Sequence, residues 1–147
     1  DLKLHMIGKL QTNKVKNAIE IFDYIHSLDN QKLADVLSKN ENNQNKKLKY
    51  FIQVNIGNET QKSGIPVSDL DAFYNYCTNE KKLNILGLMV IPPINQSTKK
   101  YFESLSELNA SLALSDLSMG MSADYSEAIV CGATFVRIGS LIFGSRY

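Results

Sequence analysis

Short apolar runs alternate with amphipathic stretches along all 147 residues of this chain, and that alternation admits few folds. The runs Leu2–Ile7, Ile21–His26, Leu48–Ile56, Leu83–Ile91, Asp116–Met119 and Thr134–Ile138 are short and nearly continuous in apolar character, as strands are when both faces of their sheet are covered. Between them, apolar residues recur at helical spacing: Leu33, Ala34 and Leu37; Leu70, Phe73, Tyr74 and Cys77; Tyr101, Phe102, Leu105, Leu108 and Leu112. Asp29 or Asn30 caps the first of these helices and Ser68 or Asp69 starts the second. The third spans Ser97–Leu114. A further short helix covers residues 12–19, and another covers Asp124–Val130 with Gly132 behind it as a C-cap. Asn40–Lys47 reads as a polar, mobile loop. Strand–helix–strand succession of this kind means parallel βα units.

Six such strands make either an open doubly wound sheet or most of a barrel. Polar and glycine residues gather at the C-terminal ends of nearly all of them: Gly8 and Gln11, His26 and Ser27, Asn55 and Lys62, Ser122, Gly139 and Ser140. A doubly wound sheet collects its ligand groups at one switch point, whereas a barrel collects them around one rim. The expected fold is therefore α/β, an incomplete (β/α)8 TIM-barrel-like domain with about six of eight units in this chain.

Net charge is +1, which gives no electrostatic case for nucleic acid or an anionic membrane. No apolar run approaches the ~20 residues that span a bilayer. Cys77 and Cys131 sit among apolar neighbours in expected helices and read as buried free thiols of a reducing cytoplasm. Asp1 stands where a start methionine would, and the apolar pattern begins at once, so a preceding segment is expected in the full-length product.

The chemistry is concentrated in the last 31 residues. Ser122 follows Met119-Gly-Met121 and precedes a helix; a hydroxyl beside free N–H groups suits a phosphate dianion. The competing reading is a plain N-cap, with Asp124 and Glu127 as a rival capping box. Gly139-Ser140 follows the last strand, where glycine lets backbone approach an anion and the serine adds a donor; the alternative is an ordinary turn. Arg137 lies two residues before Gly139, so both face the same side of the strand. Lysines outnumber arginines 14 to 2, which hints that a planar guanidinium is needed here. An interior arginine needs a partner, a ligand atom on one reading and a core carboxylate on the competing, purely structural one. Lys62 reads as a ligand donor, a residue of a mobile loop or a solvated lysine, His5 as a core histidine lining the interior, and Met89, Met119 and Met121 as core filler. His26, Ser27 and Asp29 are too close in sequence to form a triad.

Five motifs in order, His5-Met-Ile-Gly-Lys-Leu-Gln-Thr-Asn-Lys14, Val54-Asn-Ile-Gly-Asn-Glu-Thr-Gln-Lys-Ser-Gly64, Gly87-Leu-Met-Val-Ile-Pro92, Leu117-Ser-Met-Gly-Met-Ser122 and Val136-Arg-Ile-Gly-Ser-Leu-Ile-Phe-Gly144, resemble the pyridoxal phosphate homeostasis protein family, single-domain relatives of the alanine racemase barrel. The resemblance spans essentially the whole chain. It implies a barrel holding pyridoxal 5′-phosphate, with the phosphate between Ser122 and the Gly139-Ser140 turn and Arg137 at the pyridine nitrogen. It also implies that residues 1–147 are the C-terminal part of one such barrel domain, beginning at the family's third strand. The family's aldehyde-binding lysine lies on the first strand, and no lysine here matches it.

The resemblance implies a non-catalytic, cytoplasmic, monomeric carrier or regulator in vitamin B6 and amino-acid homeostasis, with apo-enzymes that use the cofactor as its recipients. An amino-acid racemase is the alternative; it would need an acid and a base on opposite faces of the ring and a further β-rich domain, for which nothing follows Tyr147. A phosphate-handling barrel enzyme without the cofactor is a third reading, supported mainly by Arg137.

Overall fold

The computed structural model describes residues 1–57, 63–94 and 96–146. Its strands are β1 (His5–Met6), β2 (Tyr24–Leu28), β3 (Lys49–Asn55), β4 (Ile65–Pro66), β5 (Asn84–Met89), β6 (Asp116–Met121) and β7 (Phe135–Arg137). Among the described residues every pairing is parallel, in the order β1-β2-β3-β5-β6-β7, with β4 added beside the end of β3. Helices α1 (Val15–Ile21), α2 (Gln31–Gln44), α3 (Leu70–Asn75), α4 (Lys99–Ser111), α5 (Tyr125–Val130) and α6 (Ser140–Phe143) alternate with them.

The sheet is curled. Six flat strands would hold their outer members roughly 24 Å apart at ~4.8 Å per strand. Yet the Phe135 ring of β7 lies 5.9 Å from the His5 ring of β1 and 5.8 Å from that of Tyr24 on β2. The expected barrel-like architecture is therefore present and the doubly wound sheet is not. Gly87 sets how closely two strands approach: a Cβ there would lie 1.7 Å from the Asp116 carbonyl oxygen of β6, a position no other residue could occupy.

Alternation along each strand divides the core in two. Tyr50, Ile52, Ile85, Leu88, Val90, Leu117 and Met119 pack outward against the buried helix faces, among them Leu33, Ala34 and Leu37 of α2 and Phe102 and Leu105 of α4. The inner face carries rings: His5 stacks on Tyr24 at 4.1 Å, His26 stacks on Phe51 at 4.5 Å, and Phe135 meets Phe51 edge-on at 5.1 Å.

Several expected boundaries move, each for a local reason. The second strand starts at Tyr24 because Ile21 ends α1, and so His26 and Ser27 lie inside the strand, not past its end. Asn40–Gln44 are not loop but the last turn of α2. Glu41 turns inward there, where its carboxylate accepts from the Leu48 N–H and the Tyr50 hydroxyl, both at 2.8 Å, and Asn45 ends the helix at φ 49°. Asn30, not Asp29, caps α2 by accepting from the Leu33 N–H; Asp29 instead accepts from the Gly64 N–H at 2.9 Å. Cys77 is buried as expected, and burial pushes its thiol up to about 12, whereas Cys131 is only partly buried. Most of the loop that follows β3, residues 58–62, lies outside the described residues.

Asn109 of α4 is 2 % exposed and ties three segments together. It accepts from the Leu88 N–H at 3.0 Å and donates to the carbonyls of Leu114 and Asp116. Replacing Asn109 with Ala orphans these buried groups and should cost about 2–3 kcal/mol, read as a lowered urea midpoint; a loss below about 0.5 kcal/mol would contradict this role.

His26 is 2 % exposed, and burial, followed by the neighbouring His5 and Arg137, pulls its pKa down to about 3. The unfolded chain therefore binds the extra proton between pH 6.5 and about 3. Stability from this group is complete above pH 6.5 and is lost as pH falls through that window. Urea midpoints should fall between pH 6.5 and 5, above most carboxylate titration, and fall less in His26→Phe; equal slopes would contradict the assignment.

Candidate functional site

A cleft of about 1390 Å³ opens beyond the C-terminal ends of β5, β6 and β7, with Pro92, Ser122, Arg137, Gly139 and Ser140 among its walls. Parallel pairing of β6 with β7, with Met121 opposite Arg137, delivers both strand exits to one rim. The two small-residue turns that follow are in direct contact. The Ser122 hydroxyl oxygen accepts from the Gly139 N–H at 3.3 Å and from the Leu141 N–H at 3.1 Å. With two donors on that oxygen, its own O–H is left to donate.

Neither simpler reading of Ser122 is realised. Asp124, not Ser122, occupies the N-cap of α5, and it makes no side-chain bond into that helix. Its carboxylate bends back to accept from the Met121 N–H at 2.8 Å, and Glu127 accepts from the Thr98 hydroxyl, so the Asp124/Glu127 capping box does not form. At Gly139 the backbone φ is −126°, which any residue can adopt, and an added Cβ would meet no heavy atom within 4 Å. Packing and conformation do not demand glycine here; what its absent side chain leaves is open space at the cleft wall. Ser140 begins α6 and is exposed.

Arg137 is mostly buried, and its partners are neutral. Nη1 donates to the Ser118 hydroxyl at 2.8 Å and Nη2 to the Val90 carbonyl at 2.9 Å. Among the described residues no carboxylate lies within ion-pairing distance, so the competing reading, an ion pair with a core carboxylate, is not realised there. Burial lowers the guanidinium to about 10, with Asp124 acting against that shift; the group stays cationic at neutral pH. Two of its five N–H donors are engaged in these bonds, and the residue borders the cleft.

Behind Arg137 runs a buried polar chain that the sequence reading did not assemble. Ser118 Oγ lies 2.7 Å from His26 Nδ1, and His26 Nε2 lies 2.9 Å from His5 Nδ1. Four strands contribute to it: β1, β2, β6 and β7. The available signal was Ser118 itself, a lone hydroxyl set between Leu117 and Met119 in a short, largely apolar strand. His5 is thus a partnered interior histidine, as expected.

The remaining candidates lie elsewhere. Asn55 borders a smaller neighbouring cavity of about 300 Å³, with Gln53, Val90, Pro92 and Tyr101. Gly8 and Gln11 are exposed beyond β1. Lys62 lies outside the described residues. Met89 and Met119 are core, but Met121 is 47 % exposed at the cleft. Among the described residues no helix is long and apolar enough to cross a membrane.

Comparison with known proteins bears on this geometry. The profile of the alanine racemase N-terminal domain family matches residues 1–147. The pyridoxal phosphate homeostasis protein of Aquifex aeolicus is 43% identical over 99% of this chain and 68% of its own length. That of Pasteurella multocida is 38% identical over 99% of this chain and 66% of its own. Among solved structures, PipY of Synechococcus elongatus with pyridoxal phosphate bound superposes with a TM-score of 0.90 at 35% identity, covering 98% of this chain and 71% of that one. The chain thus spans about two thirds of the length of the curated relatives it matches. With its full length matched by the family profile and its five motifs embedded in these alignments, the chain belongs to the alanine racemase N-terminal domain family and, within it, to the pyridoxal phosphate homeostasis proteins.

Proposed function

We propose that this chain contributes the phosphate and ring-nitrogen contacts of a pyridoxal 5′-phosphate site in a non-catalytic carrier or regulator of vitamin B6. The observation that carries the reading is the meeting of the Ser122 and Gly139-Ser140 turns beside a buried arginine that has no carboxylate partner among the described residues. PipY, related along nearly the whole chain, was solved with this cofactor bound.

The residues fit the group. A phosphate dianion needs several N–H and O–H donors and room for backbone approach. Ser122, Gly139 and Ser140 offer these on one wall, with open space where a Gly139 side chain would stand. The Gly139 and Leu141 amides now on Ser122 are the donors such a ligand would share. Arg137 supplies fixed positive charge to the same cleft. When bound, the cofactor supplies an aldehyde for covalent attachment and a pyridine ring that withdraws electrons. A guanidinium at the ring nitrogen holds that nitrogen unprotonated, because it has no proton to give at neutral pH. The ring is then a weak electron sink, which suits storage and delivery better than racemisation.

On this reading residues 1–147 are the C-terminal part of one barrel domain, acting as a monomer in the cytoplasm and passing the cofactor to apo-enzymes. Equilibrium dialysis of the intact gene product should show pyridoxal 5′-phosphate retained far better than pyridoxal. Ser122→Ala should weaken retention about tenfold, the size of one lost bond to a charged group. Equal affinity for the two vitamers would contradict the phosphate assignment. In the same assay Arg137→Ala should weaken retention at least about tenfold and Lys62→Ala less than about threefold; equal effects would contradict the roles given to them.

A further inference from the structure

The chain His5–His26–Ser118 ends on Arg137, and none of the contacts proposed above uses it. Its proton inventory is constrained. Arg137 can only donate, so Ser118 Oγ accepts from it. Ser118 is fully buried, and its own proton must go somewhere. Among the described residues His26 Nδ1, at 2.7 Å, is the acceptor within reach. If His26 Nδ1 carried a proton instead, Ser118 would face two donors and its own hydroxyl hydrogen would be left buried without a partner, a cost of about 1–3 kcal/mol. Ser118 therefore donates to His26 Nδ1, His26 carries its proton on Nε2, and that proton goes to His5 Nδ1 at 2.9 Å. His5 in turn carries its proton on Nε2. The rings of Phe51 and Phe135 pack around His26 and hold its plane.

We propose that His26 is a positioning residue for Arg137: as the neutral Nε2–H tautomer it fixes the Ser118 hydroxyl, which holds the guanidinium so that its remaining N–H groups face the cleft. A chain with one acceptable proton arrangement orients a cation more tightly than one surface bond would. Such orientation is what a mostly buried arginine with no ion pair among the described residues requires. The depressed pKa of His26 agrees, since a charged imidazole would add a second cation beside the same hydroxyl. The consequence for the cofactor rests on the reading of Arg137 given above; the tautomer and the orientation do not.

The test uses the intact gene product. Histidine ¹⁵N spectra should show His26 and His5 as Nε2–H tautomers at pH 7. Arg137 should give separately resolved Nη signals, as a guanidinium held in place does. His26→Phe keeps the ring packing and removes the bond to Ser118; Ser118→Ala cuts the next link and serves if the first variant fails to fold. Each should merge the Arg137 signals and weaken pyridoxal 5′-phosphate retention about fivefold. The double variant should be no weaker than Ser118→Ala alone. A His26 proton on Nδ1, or unchanged Arg137 signals in a folded variant, overturns the proposal. So does retention within twofold of wild type in both single variants. Failure of the wild-type protein to retain the cofactor would overturn the functional reading instead, and the Arg137 signals would still decide this one.

Discussion

Parallel pairing of β6 and β7 is the constraint on which the site depends. Because both strands run the same way with Met121 opposite Arg137, their exits reach one rim, and the two turns behind them touch. An antiparallel partner would have sent the Gly139-Ser140 turn to the opposite end of the sheet. The Gly139 and Leu141 amides reach the Ser122 hydroxyl only because of this arrangement. Asp124 completes it by bonding to the Met121 N–H, so that its carboxylate is spent on its own turn.

The same curl that brings β7 against β1 and β2 creates an interior where polar groups must partner one another. Hydrocarbon and rings fill most of it, and the His5–His26–Ser118–Arg137 chain is the polar seam through that packing. A buried cation held by a hydroxyl and a carbonyl is less compensated than one in an ion pair. On the proposed reading, that deficit is what an electron-rich ligand atom would meet. In this account the barrel interior and the cleft are one device: the interior holds the arginine, and the rim uses it.

Much of this was legible in the sequence. Alternation and short apolar strands gave the parallel βα order, and the position of Arg137 two residues before Gly139 put both on the cleft side. What escaped reading depended on contacts between residues far apart in the chain. Glu41 looks like loop sequence until its carboxylate is seen to meet the Leu48 amide and the Tyr50 hydroxyl. Ser118 and His26 are 92 positions apart, and no local pattern pairs them. For Arg137 an ion pair was the competing reading, since charge balance is the commonest solution; among the described residues its acceptors are the Ser118 hydroxyl and the Val90 carbonyl, which only the curl of the sheet brings beside it. The role of Asn109 was hidden likewise, since on a helix face its period alone reads as another core position.

The most direct test of the shared phosphate wall is a backbone amide titration of the intact ¹⁵N-labelled gene product with pyridoxal 5′-phosphate, and with pyridoxal as control. The account expects the Ser122, Gly139, Ser140 and Leu141 amides to shift together along one saturable curve for the phosphorylated vitamer, and far less for pyridoxal. Shifts confined to other strand ends, or these amides moving equally for both compounds, would contradict it.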